Sequence, residues 1–138
     1  MANDNEIAVR RFYEALSSGD GALADEALAA GWEAVPPLRT GGGPEGWKAS
    51  IAHVRDVFSD LTVEIDHIVM NRDMVAVRAV SRGKHTGELL GVGGTGREVE
   101  FRAADFHQMV DGHIVRTWHL EDYFSIATQL GLVFTRGA

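Results

Sequence analysis

The spacing of apolar residues changes abruptly near residue 60. Trp47, Ile51, Val54 and Phe58 fall at offsets 0, 4, 7 and 11, one face of an α-helix. Leu61, Val63, Ile65 and His67 then alternate at period two, the pattern of a strand with one buried face. Before this switch the chain reads mostly as helices, and after it as a meander of long strands. That order predicts an α+β fold: N-terminal helices packed over one face of a curved antiparallel sheet. Long strands of one sheet curl, and a curled sheet closed by helices makes a cone with a cavity.

The elements follow from local signals. "NDNEIAVRRFYEALSSGD" predicts a helix capped by Asn3 or Asp4, with Ala8, Phe12, Ala15 and Leu16 on its apolar stripe and Val9 and Tyr13 at the edge. "ALADEALA" predicts a short second helix, and "WEAVP" a short strand ended by Pro36-Pro37. Pro44 suits the first turn of a third helix over residues 45–59. "LTVEIDHIVM", "MVAVRAVSRG", "REVEFRAADFHQMV" and "HIVRTWHLEDY" predict four strands, and "FSIATQLG" a final helical turn or two.

The totals exclude several classes of function. The 138 residues fit one domain, 1–138. Twenty acidic against 13 basic residues, a formal net charge of -7, disfavour nucleic acid and anionic membrane surfaces as partners. With no cysteine, there is no disulfide, thiolate metal site or cysteine nucleophile. No apolar run approaches the roughly 20 residues of a membrane span, and "MANDNEIAVRRFYEAL" lacks the order of a signal peptide, so a cytoplasmic location is expected. Six histidines are present, but neither HExxH nor a compact His/carboxylate triad. "GVGGTG" lacks the strand-to-helix context of a dinucleotide site.

Asp111-Gly112 marks a hairpin between the last two strands. A two-residue loop would put Phe106 on one face with Thr117 and Asp105 with Trp118, mixing greasy and polar side chains. An odd loop, with Gly112 left-handed, sorts them. One face then holds Ala104, Phe106, Val110, Ile114, Trp118 and Leu120, interrupted by Gln108 and Arg116. The other holds Ala103, Asp105, His107, Met109, Val115, Thr117, His119 and Glu121. On this reading Asp105 and His119 are neighbours, and a carboxylate beside an imidazole raises its basicity. Either the polar face meets solvent, or it lines a cavity and the aromatic face is an interface between subunits.

"GKHTGELLGVGGTGREVEF", "VDGHIVRTWHLED" and "TQLG" resemble the SnoaL-like polyketide cyclase and ester cyclase family. The resemblance implies a nuclear-transport-factor-like cone, an oligomer, an apolar pocket and no cofactor. It also implies closure of a polyketide ring by an intramolecular aldol reaction. The family uses an Asp on the last strand as acid/base, assisted by a His on the preceding strand. Aligned through "VDG", the Asp position falls on His119 and the His position on Asp105, so the pair is exchanged. The polar residue that the family carries near its first short strand falls on Ala34 or Glu33.

The resulting expectation is a cofactor-free cyclase acting on an apolar or aromatic small molecule. His119 takes a proton and Asp105 orients it. Trp32, Trp47, Phe12, Tyr13 and Phe58 wall the pocket, with His107 at its mouth and Glu121 on the same face. Arg78 holds an anionic intermediate or pairs with a carboxylate on a neighbouring strand. His53 falls at the rim, His85 orients a loop, and Asp122 caps the terminal helix. The same pocket would also suit epoxide opening or hydroxylation, or ligand binding without chemistry. A homodimer or homotetramer through the sheet is expected.

Overall fold

A computed structural model describes residues 3–137. Helix α1 (Asp4–Ser18) begins where the Asn3 side chain accepts the Glu6 N–H at 2.8 Å, and ends at left-handed Gly19. Helix α2 (Gly21–Ala27) leads directly into β1 (Leu28–Val35), and α3 (Gly43–Val57) into β2 (Phe58–Asn71). Then come β3 (Met74–His85), β4 (Glu98–Val110), β5 (His113–Glu121) and α4 (Tyr123–Gln129). β1 starts earlier than the short strand expected. The third helix stops at Val57, so Phe58 belongs to the sheet. No helix among the described residues is long and apolar enough to cross a membrane.

The five strands lie in the order β1-β5-β4-β3-β2, with β1 parallel to β5 and every other pair antiparallel. The β2–β3 register slips twice, between Ser59 and Thr62 and between Ile65 and His67. Such bulges bend a strand and sharpen its twist. The second slip reverses the parity read from the sequence. His67 points out to solvent, and Ile68 is the residue packed against the core. Helices α1 and α3 lie against the inner face, where Phe12, Trp32, Trp47, Val75, Met109 and Ile114 share one core.

The β4–β5 hairpin also differs from expectation. Val110 pairs with His113, so the loop holds only Asp111 and Gly112, both left-handed, as the two-residue turn favoured for hairpins requires. Parity is instead restored in β5: Met109 faces Ile114 while Gln108 faces Arg116, leaving Val115 as an extra residue. Beyond this bulge Asp105 pairs with His119, as the face-sorting argument expects. Before it, Ile114 is fully buried on the inner face, not on the aromatic face, and Val110 is exposed. The greasy face of β4 and β5 is the outer one, where Phe106 is 55% and Leu120 72% exposed.

Candidate active site

The cavity lies between the inner face of the sheet and helices α1 and α3, and encloses about 180 Å³. Its back wall is aromatic: Phe12 stacks on Trp47 with ring centroids 4.3 Å apart, and Trp32 packs beside both. The Trp47 indole N–H donates to the Phe12 carbonyl at 3.3 Å, tying α3 to α1 behind that wall. Phe58 closes the end nearest Phe101. His53 and Tyr123, both exposed, stand among the lining residues at the rim.

The polar groups on and behind this wall come from three alternate rungs of the β4–β5 ladder. Ala103 faces Glu121, Asp105 faces His119, and His107 faces Thr117. On β3 the corresponding neighbours are Ala79, Val77 and Val75, so no charge approaches from that side. Asp105, His119, Glu121, Trp32, Trp47, Phe12, Tyr13 and Phe58 all line the cavity.

Asp105 is only 5% exposed. Its Oδ2 accepts a 2.6 Å hydrogen bond from the Tyr13 hydroxyl, and its Oδ1 is buried without a partner. Burial pushes the carboxyl up to about 6; the charge of Glu121 adds to this, while the Tyr13 hydrogen bond and His119 oppose it. The Leu120 backbone N–H also approaches the carboxyl and opposes the rise, but no hydrogen bond reaches Oδ1, which keeps its capacity to accept one.

His119 differs from the base expected of it. Its Nδ1 lies 2.8 Å from Glu121 Oε1, and its Nε2 lies 2.7 Å from the Pro36 carbonyl oxygen. A carboxylate and a carbonyl only accept, so both ring nitrogens donate and the ring is an imidazolium. The Glu121 hydrogen bond raises the His119 pKa above the ordinary histidine value; burial opposes the shift, and the Pro36 carbonyl reinforces it. His119 is therefore oriented by Glu121 and Pro36, not by Asp105. The ladder opposition places a cation beside Asp105 in place of the expected hydrogen-bonded dyad.

Two further expectations are corrected. His107 is fully buried behind the cavity, bonded to Tyr13 and Thr117, because its strand passes under α1 at that rung. Arg78 projects from the outer face, exposed, and takes the second of its two expected roles instead of the first: its Nε lies 3.7 Å from Asp66 Oδ2 on neighbouring β2. At an even position of β3 it cannot reach a cavity lined by Ala79 and Ser81. Asp122 does cap α4, accepting the Ser125 N–H at 3.0 Å. His85 does hold a loop, its Nδ1 accepting the Thr95 N–H at 3.2 Å.

The sequence pattern puts Tyr13 in the wall, Thr117 on the cavity face and Pro36 at the end of a strand, and gives none of them its hydrogen-bond partner. The place of Thr117 is legible because it shares the parity of His119. A backbone carbonyl such as that of Pro36 leaves no trace in side-chain patterns. Among the described residues no group of three or more His, Asp or Glu side chains is arranged to hold a metal.

A curled sheet over an apolar cavity, with a buried carboxylate beside an imidazolium, is an arrangement suited to proton transfer away from bulk water. The chain belongs to the SnoaL-like polyketide cyclase family, whose pattern matches residues 6–130. It is 33% identical over 130 residues to the aklanonic acid methyl ester cyclase AcmA of Streptomyces galilaeus, covering 90% of this chain and 88% of that one. Among solved structures it resembles TsrD of Streptomyces laurentii, at a TM-score of 0.84 and 25% identity over 91% of this chain and 93% of that one. It also resembles IdmH of Streptomyces antibioticus, a proposed polyketide cyclase, at 0.78 and 32% identity over 91% and 96%. Family membership and the relationship to AcmA make the chain an enzyme with a cyclase role.

Proposed function

We propose that the chain closes a ring of a polyketide-like substrate by a cofactor-free intramolecular aldol reaction, with Asp105 as the acid/base. The unpartnered Oδ1 of Asp105, buried in an apolar wall, carries this reading. Ionised, Asp105 removes a proton from the carbon next to a substrate carbonyl. The resulting enolate carbon attacks a second carbonyl of the same molecule, one C–C bond forms, and the new alkoxide takes the proton back from Asp105. No atom is gained or lost. The fixed imidazolium of His119 offsets the negative charge that passes from Asp105 to enolate to alkoxide. The roles are thus the reverse of those read from sequence: the carboxylate moves the proton and the histidine holds the charge.

The relative AcmA suggests aklanonic acid methyl ester as the probe substrate. The cavity of about 180 Å³ is smaller than the roughly 300–1,000 Å³ usual for small-molecule sites. Such a polycycle would place only its reacting end beside Asp105 and extend past His53 and Tyr123 into the mouth.

With this probe, Asp105→Asn is expected to lower kcat about 10²–10⁴-fold while leaving binding nearly intact. The kcat/KM profile of the unaltered protein should rise through about pH 6 as Asp105 ionises. It should fall again above the ordinary histidine value as His119 loses its proton. Turnover by Asp105→Asn at the original rate would remove Asp105 from the chemistry. Solvent ¹⁸O in the product would indicate hydrolysis instead of cyclisation.

A further inference from the structure

A hydrogen-bonded chain runs behind the cavity wall from β1 to Asp105. The Trp32 indole N–H donates to Thr117 Oγ1 at 3.0 Å, and that oxygen lies 2.8 Å from His107 Nδ1. His107 Nε2 lies 2.7 Å from the Tyr13 hydroxyl, which lies 2.6 Å from Asp105 Oδ2. All five side chains are buried. His107 and Thr117 take no direct part in the chemistry proposed above.

We infer that Trp32, Thr117, His107 and Tyr13 are positioning residues forming a directional relay, which Trp32 orients and which leaves Oδ1 of Asp105 as the free oxygen facing the substrate. The inference rests on Asp105 being the acid/base. The two ends set the direction: an indole N–H only donates, and a carboxylate only accepts. Between them, Thr117, His107 and Tyr13 can each give one hydrogen and take one. In one arrangement every hydrogen is used. Trp32 donates to Thr117, Thr117 to His107 Nδ1, His107 Nε2–H to Tyr13, and Tyr13 to Asp105. In the reverse arrangement Thr117 accepts from both Trp32 and His107, and its own hydroxyl hydrogen has no acceptor among its partners, which is unfavourable in a buried site.

Charge agrees with this direction. Burial drives the His107 imidazole down to about 3, so it is neutral and carries a single N–H. The groups facing it are Phe12 and Tyr13 from α1, Thr117 from β5 and Val75 from β3, none of them charged. Asp105 is faced by Tyr13 from α1, by His119 and Glu121 from β5, and by Val77 from β3. Tyr13 is thus the one hydroxyl donor to the carboxylate, and the relay decides whether its hydrogen points there.

Nuclear magnetic resonance of the protein labelled with ¹⁵N-histidine and ¹³C-aspartate tests this without any substrate. His107 is expected as the Nε2–H tautomer with a bare Nδ1. Thr117→Val keeps the side-chain volume and removes the hydroxyl. It should abolish that single tautomer and raise the Asp105 titration midpoint by about one pH unit. Thr117→Ser should restore both. A purely structural role would lower the melting temperature of Thr117→Val and leave the midpoint unmoved, overturning the relay. So would a protonated His107 Nδ1 in the unaltered protein, which needs no variant to fold. If Asp105→Asn loses turnover while Nδ1 is protonated, the relay alone fails. If Asp105→Asn keeps turnover, the acid/base reading fails first.

Discussion

Asp105 and His107 sit two residues apart on the same face and titrate in opposite senses. The Asp105 carboxyl goes from 3.8 to about 6 on folding, so the native state binds the extra proton. Its contribution is most favourable below pH 3.8 and is lost as pH rises towards 6. The His107 imidazole drops from 6.5 to about 3, so there the unfolded chain binds the extra proton. That contribution is present above pH 6.5 and is lost as pH falls towards 3. Between about pH 4 and 6 the two slopes cancel. Asp105→Asn keeps an acceptor for Tyr13 and removes the charge. It should stabilise the fold by about 1–3 kcal/mol at pH 7 and by almost nothing at pH 4, at about 1.4 kcal/mol per shifted unit. Denaturant titrations at both values check this, and no gain at pH 7 would show that the ionised Asp105 costs the fold nothing. A gain in stability alongside the loss of turnover would mean that the site is held against the preference of the fold.

At the level of elements, the extra residue in β5 decides what faces the cavity. The loop at Asp111-Gly112 alone would continue the Met109–Ile114 register and turn Trp118 and Leu120 inward. Val115 shifts the strand by one, which puts Thr117, His119 and Glu121 on the inner face. Deleting Val115 should remove the bulge and keep the pairing beyond it: Arg116 then follows Ile114 on the outer face, and Thr117, His119 and Glu121 still face the cavity. The expected outcome is a protein that keeps a cooperative thermal transition, read by circular dichroism; loss of that transition would show that the bend made by the bulge is itself needed for the fold. The family motifs have similar local causes. In Gly-x-His-x-Gly, a Cβ on Gly83 would lie 2.8 Å from Phe58 Cβ, and one on Gly87 would collide with the Asp56 carbonyl oxygen. In Thr-Gln-Leu-Gly, the Gln129 amide bonds both backbone groups of Glu100, at 3.0 and 2.7 Å, and docks α4 on β4.

For the molecule as a whole, the curled sheet separates two apolar surfaces. The inner one is covered by α1 and α3. The outer one carries Phe106, Val110, Leu120 and Phe124, all more than half exposed. Aromatic and aliphatic side chains gathered on one sheet face suit a second copy of the chain, given about 800 Å² buried on each partner. A dimer is the outcome expected in analytical ultracentrifugation. Leu120→Lys should give a monomer that still folds, because the side chain at this position points away from the cavity. A monomeric unaltered protein at micromolar concentration would leave this face without a partner.

The order of helices and strands, the shared face of Asp105 and His119, and the aromatic wall were all legible in the chain. Each follows from a local period or from the demand that polar and apolar side chains sort onto opposite faces. Tertiary structure alone decided the bulges at Asp66 and Val115, because an extra residue in a strand shows only against its partner. It also decided which acid meets which base. Tyr13 comes to Asp105 across 92 positions of sequence, and the Pro36 carbonyl comes to His119 across 83. Those contacts, and the burial around them, are what favour the proposed roles of Asp105 as proton carrier and His119 as fixed charge. Protonation depends on solvent exclusion and on neighbours brought together by folding, so strand parity could bring the pair together but could not assign its roles.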